Sequence, residues 1–133
     1  MKIIQSSGKR KRAVARATVR TGKGAIRINS IPASQLQQRY FRMKFEEAVV
    51  LTGDHAKHVD VDIHVAGGGI NGQVEAARIA YCRGLVAYTG NEDLKSKYIA
   101  YDRQLLVADV RRKEAAKPNR HGKARSKVQK SYR

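Results

Sequence analysis

Carboxylates are missing from the first third of this chain: residues 1–45 hold twelve Lys or Arg and no Asp or Glu. Tryptophan is absent, and Cys82 is the only cysteine in 133 residues. A lone cysteine excludes an internal disulfide and suits a reducing cytoplasm. No apolar run approaches the roughly twenty residues of a membrane span. The opening MKIIQSSGKRKR has too short an apolar run for a signal-peptide core. Neither terminus offers the bulky apolar face of a cationic amphipathic helix, so a membrane surface is not an expected partner. The phosphate loop of nucleotide hydrolases, G-x-x-x-x-G-K-[ST], is also missing.

What the chain has is positive charge, unevenly placed. The net charge is +17, yet residues 46–110 carry ten acids against six Lys or Arg. Residues 111–133 carry ten Lys or Arg against the single acid Glu114. Cations gathered at both ends of an acidic middle form an electrostatic footprint for phosphate, and nucleic acid is the expected partner. The length suits one domain, read as a globular body over residues 1–110 and a basic tail over 111–133. With three alanines, Val128 and Tyr132 as its only apolar side chains, the tail cannot bury enough surface to offset the cost of ordering it. Fully extended at about 3.3 Å per residue it would reach roughly 70 Å.

Along the body, Ile3–Ser7 reads as a short strand before the cluster Lys9-Arg10-Lys11-Arg12. Residues 13–20 alternate with a period of two, placing Arg16 and Arg20 on one face. A turn at Thr21-Gly22-Lys23-Gly24 then predicts a hairpin with Ala25–Ile28, its polar face an arginine-bearing phosphate surface. Asn29-Ser30 turns the chain. Pro32 opens a short helix to about Tyr40, and a second helix runs from about Arg42 to Thr52, stopped by Gly53. Phe45, Ala48, Val49 and Thr52 repeat at helical spacing, a core pattern more than a base-stacking one.

His58–Val65 is a strand with Val59, Val61, Ile63 and Val65 inward and Asp60, Asp62 and His64 on its wet face. No further ligand cluster turns those acids and histidines into a metal site. Gly67, Gly69 and Gly72 formally match G-x-G-x-x-G between a strand and a helix, but no parallel strand ending in an acid follows, as a dinucleotide fold requires. Such a corner still lets an RNA backbone approach closely and offers helix-start amides to phosphate. Gln73–Tyr88 is the main helix, with Val74, Ala77, Tyr81, Leu85 and Tyr88 as its stripe, small Ala76, Ala80 and Gly84 beside it, and an expected Glu75–Arg78 pair. Cys82 reads as a buried small side chain, since no base or oxyanion signature accompanies it. A short helix over Leu94–Ala100 and a last strand over Leu105–Val110 complete an α+β fold: a small mixed sheet with helices packed on one face.

The corner and helix GGGINGQVEAARIAYCRGL, residues 67–85, resemble the signature of the family of the universal ninth protein of the small ribosomal subunit. The opening Gly8-Lys9-Arg10-Lys11-Arg12-Ala13-Val14-Ala15-Arg16 is similar to that family's first strand. The ending Gln129-Lys130-Ser131-Tyr132-Arg133 resembles its archaeal and eukaryotic branch. The resemblance implies the fold of the second domain of the fifth small-subunit protein, with a left-handed βαβ crossover. It implies a body seated on ribosomal RNA in the subunit head beside neighbouring head proteins. It also implies a tail whose end meets the anticodon stem-loop of peptidyl-site tRNA, in the cytoplasm. Tyr132 stands where the bacterial branch has a lysine, so no phosphate contact carries over to it.

On this reading the RNA-binding residues are Lys9, Arg10, Lys11, Arg12, Arg16, Arg20 and Lys23 near the start. Gly67, Gly68, Gly69 and Gln73 follow at the corner, and Arg111, Arg112, Lys113, Lys117, Arg120, Lys123 and Arg125 in the tail. Lys127, Lys130, Ser131, Tyr132 and Arg133 would meet tRNA. The expected mechanism is electrostatic anchoring, with no catalysis, cofactor, metal or small-molecule substrate. A nucleic-acid packaging protein and a small nucleotide-binding enzyme at Gly67–Gly72 are the competing readings.

Overall fold

A computed structural model describes residues 1–127, 129, 131 and 132. Among the described residues five strands form one sheet: β1 (Ile3–Arg10), β2 (Ala13–Thr21), β3 (Ile26–Ile28), β4 (Ile31–Pro32) and β5 (Val59–Ala66), in the order β1-β2-β5-β3-β4. Three helices accompany it: α1 (Arg39–Thr52), α2 (Ile70–Thr89) and α3 (Glu92–Tyr101). Short 3-10 segments lie at Ala33–Gln35, Gly53–His58 and Arg103–Leu105. The α+β class expected from the sequence is the one observed.

Alternation sets the sheet's two faces. Ala13, Ala15, Ala17 and Val19 of β2, with Val59, Val61, Ile63 and Val65 of β5, are buried beneath α2. Their neighbours Arg16 and His64 are exposed on the open face, with Arg20, Asp60 and Asp62 half-exposed there. Of the expected helix stripe, Val74, Ala77, Tyr81 and Leu85 are fully buried while Tyr88 at its end is half-buried, and Tyr81 meets Phe45 of α1 edge-on at 5.3 Å between ring centres. Each fully buried large apolar side chain contributes roughly 1.5–3 kcal/mol. Small residues let α2 lie directly on β1. A Cβ at Gly8 would come within 2.3 Å of the Ala76 carbonyl oxygen, and one at Gly84 within 2.7 Å of Val19. Ser6 seals the contact by donating its hydroxyl to the Ala80 carbonyl at 2.6 Å.

The first hairpin differs from the expected one. β2 pairs antiparallel with β1 through the Lys11-Arg12 turn, and with β5 on its other side, while β3 pairs parallel with β5. A period of two identifies a strand without naming its partner. The partner is decided by the Gly22–Ala25 loop, whose Lys23 and Ala25 amides both donate to the Asp60 carboxylate at 2.9 Å. This carries the chain across the start of β5 to its far edge. There the Asn29 side-chain amide donates to the Val65 carbonyl at 3.2 Å and accepts from its N–H at 2.9 Å, prolonging the parallel pairing beyond three residues. The adjacent parallel strands β3 and β5 are joined through α1 in a βαβ unit.

Other boundaries also differ. Residues 31–35 form the short strand β4 and one 3-10 turn where a helix from Pro32 was expected, and α1 starts earlier, at Arg39. Gly53 ends α1 as anticipated, and Gly90 ends α2, both at positive φ. Arg78 is buried and pairs with Glu47 of α1 at 3.4 Å, not with Glu75. The expected strand over Leu105–Val110 does not form. That segment is tied alongside β1 by side chains: Arg83 donates to the Leu106 carbonyl at 2.8 Å and to the Ser7 carbonyl at 3.0 Å.

Gly8→Ala is expected to lower stability by about 3 kcal/mol or more, because the helix backbone above it cannot yield. Gly69→Ala, where a Cβ meets nothing within 4 Å, should cost less than about 1 kcal/mol; urea unfolding of both variants measures the contrast. The Ala25 and Lys23 amides also hold the Asp60 carboxyl below its usual range. Its contribution is therefore present above the unfolded value of about 3.9 and is lost as pH falls through the lower folded value. Melting temperature followed through that acid range should fall less steeply for Asp60→Asn than for the parent chain.

Candidate nucleic-acid interface

Three separated segments meet at one end of the sheet. Arg10, Lys11 and Arg12 come from the β1–β2 turn, Gly68 and Gly69 from the corner before α2, and Arg111, Arg112 and Lys113 from the start of the basic segment. Together with Glu114, Ala115 and Ala116 they line a cleft of about 860 Å³. The residues span more than a hundred positions of sequence, so the cleft exists only through tertiary structure.

Asp109 holds it together. Its carboxylate is almost fully buried, pairs with Arg10 and receives Arg111, whose Nη2 lies at 2.7 Å and Nε at 2.9 Å from the same oxygen. The Arg111 backbone N–H donates to the other oxygen at 2.8 Å, and Arg112 donates to the Asp109 carbonyl at 2.8 Å. A buried charge is tolerated when its partners and hydrogen bonds replace its water. Here two guanidinium groups and an amide do so. Arg10 and Arg111 are thereby committed to Asp109, whereas Lys11, Arg12 and Lys113 make no ion pair among the described residues. Those three are the cations free to meet phosphate.

The glycines of the corner have a structural reason. Gly67 and Gly68 take φ of 79° and 64°, and a Cβ would lie 2.8 Å from the Arg12 carbonyl oxygen or 2.9 Å from the Ala13 nitrogen. The corner is pressed against the β1–β2 turn, which presents Lys11 and Arg12 beside the start of α2. Gln73 donates its side-chain amide to the Gly67 carbonyl at 3.0 Å, fixing the corner. Gly69, the N-cap of α2, is open and faces the cleft.

On the open sheet face the other candidates are separated. Arg16 and Lys9 are exposed, and Lys23 sits exposed in the loop above Asp60. Arg20 is paired with Asp62 of β5 at 2.9 Å, so the strand beside it supplies the carboxylate its own segment lacks. In the basic segment, Glu114 pairs with Arg125 at 2.8 Å and with Lys117 at 3.5 Å. The Lys123 amide donates to the Arg120 carbonyl at 3.0 Å within that turn. Lys127, Ser131 and Tyr132 are exposed. Lys130 and Arg133 lie outside the described residues.

Cys82 is completely buried, and burial pushes its thiol up to about 12, which removes the thiolate that nucleophilic chemistry would need. The arrangement offers fixed cations and backbone amides to a polyanion. Asp109 was not a candidate in the sequence, and Arg83 stood out there only within the signature over residues 67–85; neither showed its part in building the site. The available signal was an acid directly ahead of a basic run, an arrangement that solvated acids share.

The chain matches the family described as Ribosomal protein S9/S16 over residues 8–133. It is 48% identical to the small ribosomal subunit protein uS9 of Methanococcus maripaludis and 49% identical to that of Methanothrix thermoacetophila. In both cases the match covers the whole of each chain.

Removing the carboxylate from Asp109 leaves Arg10 buried without its partner. Asp109→Asn is expected to destabilise the protein by about 3 kcal/mol and to make the Arg111–Arg112 backbone more susceptible to trypsin. Denaturant unfolding and timed proteolysis at low enzyme measure the two effects.

Proposed function

The chain belongs to the Ribosomal protein S9/S16 family, and on that footing we propose that its body anchors on ribosomal RNA in the small-subunit head while its basic end reaches toward peptidyl-site tRNA. It is a non-enzymatic structural protein of the small ribosomal subunit, whose partners are small-subunit RNA and other ribosomal proteins. The observation that carries the RNA contact is the cleft, where Lys11, Arg12 and Lys113 make no ion pair among the described residues and stand beside the open Gly69 corner. An arginine fork spans two phosphate oxygens and a lysine supplies a compact charge. Phosphates entering the cleft would displace counterions and fix the register of the backbone, with no sequence read from bases.

Residues 111–133 act in this proposal as a tail, leaving the body at the Asp109 clamp. Arg111 and Arg112 anchor its root, while Lys113, Lys117, Arg120, Lys123 and Arg125 track RNA. Lys127, Lys130, Ser131, Tyr132 and Arg133 face the tRNA, with Tyr132 contributing a ring or hydroxyl contact. Glu114 pairs with Arg125 and Lys117 in the free chain, and phosphate oxygens would take over those partners. Both pairs are solvent-exposed, so the exchange is cheap.

If roughly ten phosphates are neutralised, affinity for bare small-subunit RNA falls by several orders of magnitude between low and moderate salt. Deleting residues 127–133 should leave incorporation into subunits nearly intact and weaken tRNA binding in the peptidyl site. Filter binding of tRNA to purified subunits measures the second effect, and equal affinity for truncated and full-length particles would remove the tail's role.

A further inference from the structure

β1 leaves part of one sheet edge open. In an antiparallel pair the N–H and C=O of a residue point to the same side, and the Ser7 carbonyl takes Arg83, so Ser7 faces away from β2. Gln5 and Ile3, two and four positions before it, face the same way. The far side of the sheet agrees. There the Val61 N–H goes to Ala25, and counting the alternation back through the β5–β2 and β2–β1 registers again turns Ile3, Gln5 and Ser7 outward. Arg83 caps the edge at Ser7, and Asp109 pins the chain beside Arg10. Among the described residues nothing meets the backbone groups of Ile3 and Gln5. The opposite edge is blunted, since β4 is two residues long and carries Pro32.

We propose that Ile3–Ser7 is a strand-docking edge, which takes an extended segment of another small-subunit protein by main-chain hydrogen bonds. Ile3 and Gln5 present donors and acceptors together, about 6.8 Å apart along the strand, a spacing that a peptide backbone matches. Phosphates could take the two N–H groups but leave the carbonyls without a donor. Side chains set the chemistry of the segment. Ile3 is 54% exposed and asks for an apolar neighbour on the added strand. Beside the edge, a groove of about 380 Å³ is lined in part by Gln5, Ser7, Arg16 and Thr18. Arg16 and the exposed Lys9 make no ion pair among the described residues, and β1 itself holds no acid. A segment that alternates apolar and acidic residues is complementary to this edge. The open edge stands on the geometry alone; that its partner is a subunit protein rests on the ribosomal reading.

Fluorescence anisotropy of the full-length chain with a labelled peptide alternating valine and glutamate tests the edge, at moderate salt to screen unspecific attraction. Gln5→Pro removes one outward donor and leaves the β1–β2 ladder whole. It should weaken binding about tenfold, the loss of a main-chain bond and its neighbours. The same peptide N-methylated through its centre keeps its charge but cannot pair, and should lose binding to the parent chain as well. That second arm does not depend on how the proline variant folds. Equal binding of the plain and methylated peptides would overturn the edge. In purified small subunits, carbodiimide should join Lys2 or Lys9, which flank the edge, to a carboxylate of another subunit protein. Photochemical cross-links from Ile3–Ser7 to RNA in its place would overturn the protein partner. Absence of the chain from small subunits would defeat the ribosomal reading and leave the peptide result standing.

Discussion

One carboxylate holds together the cleft at the end of the sheet. Asp109 sits almost out of water between Arg10, at the end of the first strand, and Arg111, at the root of the basic segment. Without it the two runs of positive charge would repel each other, with only the Arg83 ties to hold their segments side by side. With it, each run gives up one arginine to the clamp, and the remaining cations line a common cleft. Arg83 prepares the contact from α2 by tying Leu106 to Ser7, three positions before Asp109 and Arg10 in their respective segments. The fold therefore spends its buried charge on bringing cationic side chains together.

The same logic explains the glycines and small residues of the core. α2 rests on β1 because Gly8, Gly84 and their alanine neighbours leave no side chain in the way, and the corner at Gly67–Gly68 can press against Arg12 for the same reason. That closeness sets where the helix begins and hence which turn flanks its N-terminus. Packing and the placement of the interface are one constraint here. A change that lifts α2 from the sheet also opens the cleft.

Elements defined by their own pattern were legible in the sequence. β5 showed as four alternating apolar residues, and α2 as a small-and-large stripe over a helical period, because each pattern records burial locally. Partners were not legible. The route of β3 around β5 depends on Asp60 reaching two loop amides and on Asn29 continuing the ladder by its side chain, neither of which has a period. The stretch after Leu105 has a strand's composition but is held by Arg83 and Asp109 instead of by backbone pairing. The candidate cations were visible as residue types, yet which of them remain free was not. Arg20 meets Asp62, and Arg10 and Arg111 meet Asp109, only once distant segments are brought together.

The central claim is that the cleft built around Asp109 receives ribosomal RNA. Photochemical cross-linking of purified, high-salt-washed small subunits, followed by mapping of the RNA-linked peptides, tests it most directly. The account predicts that this chain stays in the washed particle and that its cross-links cover Lys11, Arg12, the Gly68-Gly69 corner and Lys113. Cross-links confined to the exposed faces of α1 and α3, with the cleft unmarked, would contradict it.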